Sequence, residues 1–538
     1  MKKKDFYRQL AKMILNLNLV LLGFIILTSF SNNPKQRSAE EIERFIYILE
    51  QLAKDENSSV RAYVAGNSNT PVRILKQLAK DENLNVRYNV AFRPNIPVAL
   101  LEQLAKDESS NVRSRVAKKS NTPVRILNQL AKDRNINVLE NVARNRNTPI
   151  ESLKILATNK KSEIRKGVAS NPSTPVELLK LLAQDEDRSV RQNVALNSNT
   201  PTELLGELSK DKEYWVRAYV TQHPNTSIEL LKLLAQDENR YVRQSIANKS
   251  NAPIELLKEL AKDEEFGVRS RVAYNPNTPV AILEQLAKDE EAKVRSYVAK
   301  NPNTPVVVLE QLAKDKSINV RRNVAGNRSA PVKSLKKLVK DKDITILNVI
   351  ACNSVTPVKL LKRLAKNKNS EIRSHVAYNV STPVQLLQQL ARDEDRYVRL
   401  YVAINPNTPT ELLRELSKDE EYWVRAYVTQ HPNTSIEMLR QLTLDKDSVV
   451  RQRVAKKTKV PIELLKELTK DEDPKVRQNV ALNSNTPVEL LKELTKDEDS
   501  NIRSNVVSNR NITIELLEQL AKDKDFRVRQ EVARKRFY

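Results

Sequence analysis

The chain has 538 residues and carries 92 Lys and Arg against 67 Asp and Glu, a formal net charge of +25. Its 40% hydrophobic content excludes a mostly disordered chain, and its 30% charged content excludes a bundle of membrane helices. Six glycines, none of them spaced as a phosphate-binding loop, exclude the common nucleotide motifs. One cysteine and three histidines exclude a disulfide framework and the usual metal clusters. These counts predict no catalytic site, no cofactor and no metal.

The first 44 residues begin with basic side chains and continue into an apolar run over residues 13–30. This pattern indicates a signal peptide or signal anchor over residues 1–31, and the alternative is a hydrophobic helix packed on the first repeat. Because the basic residues are denser before the run, we expect a membrane-anchored or exported protein whose repeats face away from the cytoplasm. A cytoplasmic protein is the alternative. Residues 32–44 are expected to form a linker and a capping helix, since Ser38 and Glu41 have capping-box spacing.

A period of 26 residues organises the remainder, residues 45–538. Pro71, Pro97 and Pro123 each follow the last by 26 residues, and the register continues without a slip to Thr513. Nineteen units of 26 residues fill this range. A constant period of this length is typical of repeat proteins, so it replaces any domain count based on chain length.

Residues 175–200 illustrate the first helix of a unit. Thr174 has the position of an N-cap, Pro175 that of the first helical residue, and Glu177 completes the spacing of a capping box. Leucine follows at the fifth and eighth positions in all nineteen units. Since these two positions lie on one face of a helix, they predict a buried leucine stripe.

The second half of each unit predicts a shorter helix. Val190 and Val194 lie on one face, and this pair is Val or Ile in every unit. Because β-branched residues are weaker helix formers, this element is expected to be a short α-helix or a 3₁₀-helix. Asn197 is expected to end it in the left-handed conformation. Helices of two or three turns do not persist alone, so the fold is predicted to be an all-α, curved solenoid of nineteen stacked two-helix repeats.

The repeated pattern NPNTPxELLxxLAxDxxxxVRxxVA resembles the leucine-rich repeat variant family. It is more distantly similar to HEAT-type repeats, which share the Asp and Val-Arg pattern. The resemblance covers residues 45–538 and implies a curved two-layer solenoid of alternating α- and 3₁₀-helices. It implies no single shared activity, so it bears on fold and not on function.

Arginine and aspartate recur at fixed places. Unit position 17 is Arg and unit position 11 is Asp in 17 of the 19 units. The exceptions are Leu139 and Leu347 for Arg, and Asn159 and Asn367 for Asp, each Asn in the unit after a Leu. This joint loss predicts that Arg of one unit pairs with Asp of the next, in preference to a phosphate-binding stripe. The two exceptions lie 208 residues apart, so a single duplicated event explains them equally well.

Two aromatic groups on the second helices are the candidate partner-binding residues, since rings beside guanidinium groups are frequent in binding sites. The alternative is that these rings only fill the groove between units. The candidates are Tyr214, Trp215, Arg217, Tyr219, Tyr241 and Arg243 in the first group, and Tyr397, Tyr401, Tyr422, Trp423, Arg425 and Tyr427 in the second.

The other chemistry-bearing side chains follow the repeat. His223 and His431 occupy a loop position that Asn holds in other units, and they are interpreted as variants of that Asn. Cys352 is expected in a loop without a partner. No pair of carboxylates departs from the repeat as a catalytic acid and base would, so an enzyme is not expected.

These observations predict a nonenzymatic scaffold that binds macromolecules along an extended surface, with proteins as the expected partners. Positive charge is expected to be spread over the repeats at about one net charge per unit. The alternative function is binding of nucleic acid or another acidic polymer by the basic curved face, which salt would weaken. No small-molecule substrate is evident, and the membrane is a partner only through residues 13–30.

Overall fold

The computed structural model describes residues 38–537 and contains 38 helices in that range, two for each of the nineteen units. Odd-numbered helices are the first helices of the units and even-numbered helices the second. In chain order they are α1 (Ala39–Leu52), α2 (Ser58–Gly66), α3 (Val72–Leu78), α4 (Leu84–Phe92), α5 (Val98–Leu104), α6 (Ser110–Lys118), α7 (Val124–Leu130), α8 (Ile136–Arg144), α9 (Ile150–Ala157), α10 (Ser162–Ala169), α11 (Val176–Leu182), α12 (Arg188–Leu196), α13 (Thr202–Leu208), α14 (Tyr214–Gln222), α15 (Ile228–Leu234), α16 (Arg240–Ala247), α17 (Ile254–Leu260), α18 (Phe266–Tyr274), α19 (Val280–Leu286), α20 (Ala292–Lys300), α21 (Val306–Leu312), α22 (Ile318–Gly326), α23 (Val332–Leu338), α24 (Ile344–Cys352), α25 (Val358–Leu364), α26 (Ser370–Tyr378), α27 (Val384–Leu390), α28 (Arg396–Ile404), α29 (Thr410–Leu416), α30 (Tyr422–Val428), α31 (Ile436–Thr443), α32 (Ser448–Lys456), α33 (Ile462–Leu468), α34 (Pro474–Leu482), α35 (Val488–Leu494), α36 (Ser500–Ser508), α37 (Ile514–Leu520) and α38 (Phe526–Arg534).

The predicted all-α repeat fold is confirmed, and residues 38–537 contain no β-strand. The second element of each unit is an α-helix and not the 3₁₀-helix that the family resemblance implies. Only its first turn is tighter, since Asp187 O accepts from both Val190 N at 3.0 Å and Arg191 N at 3.4 Å. The predicted leucine stripe is buried, with Leu179 0% and Leu182 1% exposed.

The start of the first helix differs from the prediction. Pro175 is the N-cap of α11 and makes no side-chain capping bond. Thr174 is fully buried, and its hydroxyl donates to Val168 O of the preceding helix at 2.6 Å. The Thr therefore ties two helices together, and Glu177 forms no capping box with it. Where Ser227 replaces this Pro, the serine does cap its helix by accepting from Leu230 N at 3.1 Å.

The asparagine that ends most of the second helices was predicted to be left-handed, but φ is negative at every residue of the described chain. Asn197 has φ −72° and ψ 124°. Its side-chain amide donates to Ala169 O at 2.7 Å and to Asn171 O at 2.9 Å, both in the preceding unit. Its side-chain oxygen accepts from Asn199 N at 2.9 Å. This buried asparagine thus satisfies backbone groups across the unit boundary, a role that sequence reasoning missed.

The two layers differ in spacing, and this sets the curvature. Second helices of neighbouring units lie close together along their lengths, whereas neighbouring first helices approach one another much less. Bonds such as that from Asn323 Nδ2 to Ser296 Oγ, 2.7 Å, link adjacent second helices. Because the more closely spaced layer occupies the shorter arc, the second helices form the concave inner face and the first helices the convex outer face.

The solenoid closes on itself, because the last unit packs against the first. Arg529 pairs with Asp55 through Nε–Oδ2 at 2.7 Å and Nη2–Oδ1 at 3.1 Å. Asn67 donates to Ala533 O at 2.7 Å and to Lys535 O at 2.8 Å. The same two kinds of contact join most pairs of successive units within the array. The seam is therefore a nineteenth unit interface, and the molecule is a ring.

Side chains at the two ends of the array make the seam apolar. Phe45 is fully buried and stacks on Phe537, with ring centroids 4.8 Å apart. Val532 and Val60, in the last and first units, are also 0% exposed. An open array would leave these side chains at its ends without a polar cap, so closure is what buries them. With second helices about 8 Å apart, nineteen units enclose an opening about 40 Å wide.

Helix α1 begins before the first unit and strengthens the seam. Ser38 and Glu41 form the predicted capping box at its start. Arg44 then bonds to Glu515 at 2.8 Å and to Glu518 at 2.7 Å on α37 of the last unit. The predicted signal peptide or anchor, residues 1–31, lies outside the described residues. Within residues 38–537, no helix has the length and apolar character needed to cross a bilayer.

Candidate protein-binding surface of the ring

The predicted pairing of Arg with the Asp of the next unit is confirmed by a bidentate contact. Arg243 donates from Nε to Asp263 Oδ2 at 2.7 Å and from Nη2 to Asp263 Oδ1 at 3.0 Å. Its Nη1 donates to Asp237 O at 2.7 Å and Glu238 O at 3.2 Å, which fixes the loop of its own unit. The Arg243 and Asp263 side chains are 9% and 6% exposed. The hydrogen bonds to Asp263 raise the pKa of the Arg243 side chain above its usual value.

Three of the candidate partner-binding residues therefore have a different role. Arg217 pairs with Asp237 at 2.6 Å, Arg243 with Asp263, and Arg425 with Asp445 at 2.7 Å. Most of the N–H donors of these guanidinium groups are used within the interface between units. The structure assigns these arginines to the ladder between units, and their role in partner binding stays a prediction.

The first aromatic group forms one cluster on the inner face. Tyr214 lies 4.8 Å from Trp215 and 5.6 Å from Tyr241, measured between ring centroids, and Trp215 stacks near Tyr241 at 6.3 Å. Trp215 is 42% and Tyr241 43% exposed. Tyr219 lies on α14, with Tyr214 and Trp215, and is half-buried. Rings that only filled the groove between units would be covered, so this cluster presents an aromatic surface to the opening.

The second group divides between filling the groove and exposure. Tyr401 is buried against Tyr378, with centroids 5.6 Å apart, and burial raises the pKa of its hydroxyl to about 12. Trp423 is 42% exposed and packs on Tyr422 at 4.8 Å. Tyr427 is half-buried beneath the guanidinium of Arg453. Tyr397 lies beneath that of Arg396. The exposed surface of the second group is thus formed by α30, which carries Trp423, and by the neighbouring second helices α28 and α32. The buried Tyr401 does not contribute to it.

The two exposed tryptophans occupy equivalent places. The sequence from Glu213 to Ser227 recurs unchanged from Glu421 to Ser435, eight units later. In a closed ring of nineteen units the return path is eleven units long, so the two copies lie nearly opposite each other across the opening. They therefore present the same aromatic side chains to the space between them.

The histidines and the cysteine have structural positions. His223 Nε2 lies 2.9 Å from Asn197 O, and its Nδ1 accepts from Asn225 N at 3.1 Å. Asparagine makes the equivalent bonds in other units, so the interpretation of this histidine as an asparagine variant is confirmed. Cys352 is the last residue of α24, not a loop residue, and is exposed. Nowhere in residues 38–537 do three His, Cys, Asp or Glu side chains gather as a metal site.

Positive charge is concentrated in two stretches of the ring rather than spread evenly, and the first, residues 71–174, carries 20 Lys and Arg against 9 Asp and Glu. Residues 305–382, three adjacent units, carry 16 Lys and Arg against 5 Asp and Glu. Between residues 333 and 368, ten basic side chains are exposed and no carboxylate is. We call these ten the basic sector: Lys333, Lys336, Lys337, Lys340, Lys342, Lys359, Lys362, Arg363, Lys366 and Lys368. Eight of them lie on or directly after α23 and α25, on the convex outer face. The expectation of about one net charge per unit was wrong for this part of the ring.

Comparison with known proteins agrees with the repeat pattern. The sequence profile of the family described as "Leucine rich repeat variant" matches residues 163–187. The solved structure titled "A leucine-rich repeat variant with a novel repetitive protein structural motif" is 31% identical and is covered over 87% of its length, on 41% of this chain, with a TM-score of 0.34. A closed helical-repeat solenoid with inter-unit ladders is the class that the fold defines. The chain belongs to the leucine-rich repeat variant family.

Two karyopherin structures are also similar. One is titled as Kap95p binding to RanGDP and is 12% identical, covering 91% of this chain and 66% of that one, with a TM-score of 0.29. Another is the crystal structure of Kap121p, 12% identical, covering 92% of this chain and 56% of that one, with a TM-score of 0.28. The chain thus spans little more than half the length of Kap121p. No curated protein matches the sequence.

Proposed function

We propose that this protein is a nonenzymatic ring-shaped scaffold that holds a protein partner in its opening. The observation that carries the proposal is the exposure of Trp215 and Trp423, each 42%, on the inner face beside partly covered tyrosines. Tryptophan and tyrosine dominate the binding energy of protein interfaces because they bury large areas at low entropic cost. Their placement in equivalent copies suits a partner that contacts both sides of the opening.

Site-specific cross-linking in cells tests this proposal. A photo-reactive amino acid placed at Trp215 or Trp423 is expected to capture the same protein, identified by mass spectrometry. The control is Leu233, which is 55% exposed on the outer helix α15, between α14 and α16 in the chain. Capture at the inner positions and not at Leu233 supports the proposal. Equal capture at all three positions, or none at the two inner ones, contradicts it.

A binding measurement with the captured protein then separates the two copies. Trp215→Ala and Trp423→Ala should each weaken binding by about tenfold or more, because truncating a buried tryptophan at an interface costs about 2 kcal/mol. The control is Phe266→Ala, which removes another ring that is 39% exposed and belongs to neither cluster. Equal weakening by all three variants would show a general effect on the ring and contradict the assignment.

We also propose that the ring is membrane-anchored or exported. This rests on the basic start and apolar run of residues 1–31 in the sequence. Fractionation with an intact-mass measurement is the test. Protein in the membrane, or a chain shortened near Ser31, supports the proposal, and a full-length chain in the cytoplasm contradicts it.

A further inference from the structure

The basic sector differs from the rest of the outer face in a regular way. Unit position 3 is Glu or uncharged in 15 of the 19 units, and unit position 7 is Glu or uncharged, most often Gln, in every unit except two. In the basic sector the third and seventh positions are also basic, for example Lys333 and Lys337 on α23. In these two adjacent units, positions 3 and 7 therefore add positive charge to the outer face, where other units place a carboxylate or an uncharged side chain.

These side chains are not neutralised by the fold. Lys333 lies 3.3 Å from Glu310 of the preceding unit, and its side chain is still 82% exposed. None of the other nine is within ion-pair distance of a carboxylate in residues 38–537. Two aspartates lie in the same stretch of sequence, and both have other partners. Asp341 pairs with Arg321 at 2.8 Å, and the Asp343 side chain caps the start of α24. Six of the ten charges lie on two short neighbouring helices and four in the loops that follow them, so the like charges repel one another and an anionic surface would relieve that repulsion.

The shape of the basic sector suits a flat partner. Helices α23 and α25 lie side by side on the convex face, each about 10 Å long and about 10 Å from the other. One unit turns the ring by only one nineteenth of a circle, so both helices lie close to a single tangent plane. Long lysine side chains reach such a plane together.

The chemistry of the basic sector also favours lipid headgroups. Nine of the ten side chains are lysines, which act as hydrated point charges and lack the fork with which arginine recognises individual phosphates. No aromatic side chain lies on α23 or α25 to stack a nucleic-acid base. Exposed apolar residues on the two helices, Val332 at 46% and Val358 at 43%, tolerate the headgroup region.

From this geometry we propose that the basic sector docks the ring on an anionic lipid bilayer. The outer face around α23 and α25 lies against the headgroup phosphates, and the opening stays free for the protein partner. This surface is separate from residues 13–30 and acts through charge alone. Binding through it therefore requires anionic lipid and weakens with salt, unlike insertion of an apolar segment.

The test uses the full chain and sedimentation with vesicles of phosphatidylcholine alone or with 30% phosphatidylglycerol. The patch variant carries Lys→Glu at 336, 340, 362 and 366. The control variant carries Lys→Glu at 466, 470, 492 and 496, the same unit positions in two other adjacent units. All eight lysines are exposed, so both variants should fold. The patch variant should lose at least about tenfold of the affinity for phosphatidylglycerol vesicles, and the control should stay within about twofold.

Several results would overturn the proposal. These are equal loss in both variants, undiminished binding by the patch variant, or binding that does not depend on phosphatidylglycerol. Mixed-sequence duplex DNA and polyglutamate serve as competitors at 0.15 M salt. If either binds the basic sector more tightly than the vesicles do, the occupant is a polyanion in solution and the lipid assignment is wrong.

Discussion

The Arg–Asp ladder gives the sharpest prediction about stability. Arg243→Leu removes two hydrogen bonds to Asp263 and two to the carbonyls of residues 237 and 238. It leaves the Asp263 carboxylate, 6% exposed, without its counter-ion. Breaking a buried ion pair by removing one partner costs about 3–5 kcal/mol, and we expect about 3 kcal/mol at this rim position.

The second substitution should recover part of this loss. Asp263→Asn, added to Arg243→Leu, removes the stranded charge, and the Asn oxygen still accepts from Glu265 N, which now lies 2.9 Å from Asp263 Oδ1. The natural Leu139 and Asn159 units show this arrangement, since Asn159 Oδ1 accepts from Lys161 N at 3.0 Å. The double variant should therefore be less destabilised than the sum of the single variants by at least about 1 kcal/mol.

Hydrogen exchange is the suitable assay, because a long repeat array does not unfold in a two-state manner. Opening free energies of peptides from α16 are compared in the wild type, both single variants and the double variant. Arg240→Leu is the control, since this arginine on the same helix is 48% exposed and outside the ladder, and it should change opening by less than about 0.5 kcal/mol. A double variant equal to the sum of the single variants would refute the pairing.

Three further predictions concern the same interfaces. Asn301→Ala should ease local opening by about 2–4 kcal/mol, because Ala273 O and Asn275 O each lose a donor 2.9 and 3.0 Å away; a change under about 1 kcal/mol in hydrogen exchange would refute the asparagine ladder. The bond from Arg321 holds the pKa of Asp341 below its usual value, so this contribution is complete above about pH 5 and lost as pH falls through the lowered pKa. Denaturant unfolding between pH 7 and pH 2 should show that loss in wild type and less of it in Arg321→Leu; identical pH profiles would contradict it. Arg529→Leu should lower the opening free energy in hydrogen exchange by as much as Arg243→Leu does. In an open array the same substitution would change it little.

The sequence specified the unit well because the repeat displays each position many times. The leucine stripe and the Val190–Val194 pair follow from helical spacing, and both are buried. The Arg–Asp pairing could be inferred because, in both places where a unit lacks the Arg, the next unit lacks the Asp. Nineteen copies of one motif act as an internal comparison, so a coupled loss is visible within a single chain.

Other features were missed because their signals resemble commoner ones. Thr before Pro has the spacing of an N-cap, yet the buried hydroxyl of Thr174 finds a better acceptor in the preceding helix. The position of Asn197 is typical of a residue that ends a helix, but its side-chain amide donates hydrogen bonds to two carbonyl groups of the preceding unit. Both roles require a neighbouring unit at a known distance, which local spacing does not provide.

Closure was also missing from the sequence prediction. The last unit retains Arg529 and the first retains Asp55, although in an open array neither would have a partner. Apolar Phe45 and Phe537 at the two ends are a second signal, because solenoid ends normally carry polar caps. These residues could have indicated a ring, but the count of units that closes a circle depends on the rotation per unit. That rotation is set by packing in both layers.

Electron–electron dipolar spectroscopy tests whether the nineteen units form a closed ring. Spin labels replace Lys54 and Lys522, exposed residues at the same unit position in the first and last units, in a Cys352→Ser background. Labels at Lys262 and Lys288, the same position in two successive internal units, provide the reference. Closure predicts the same short, narrow distance distribution for both pairs. A long or broad distribution for the Lys54–Lys522 pair alone would show that the solenoid is open.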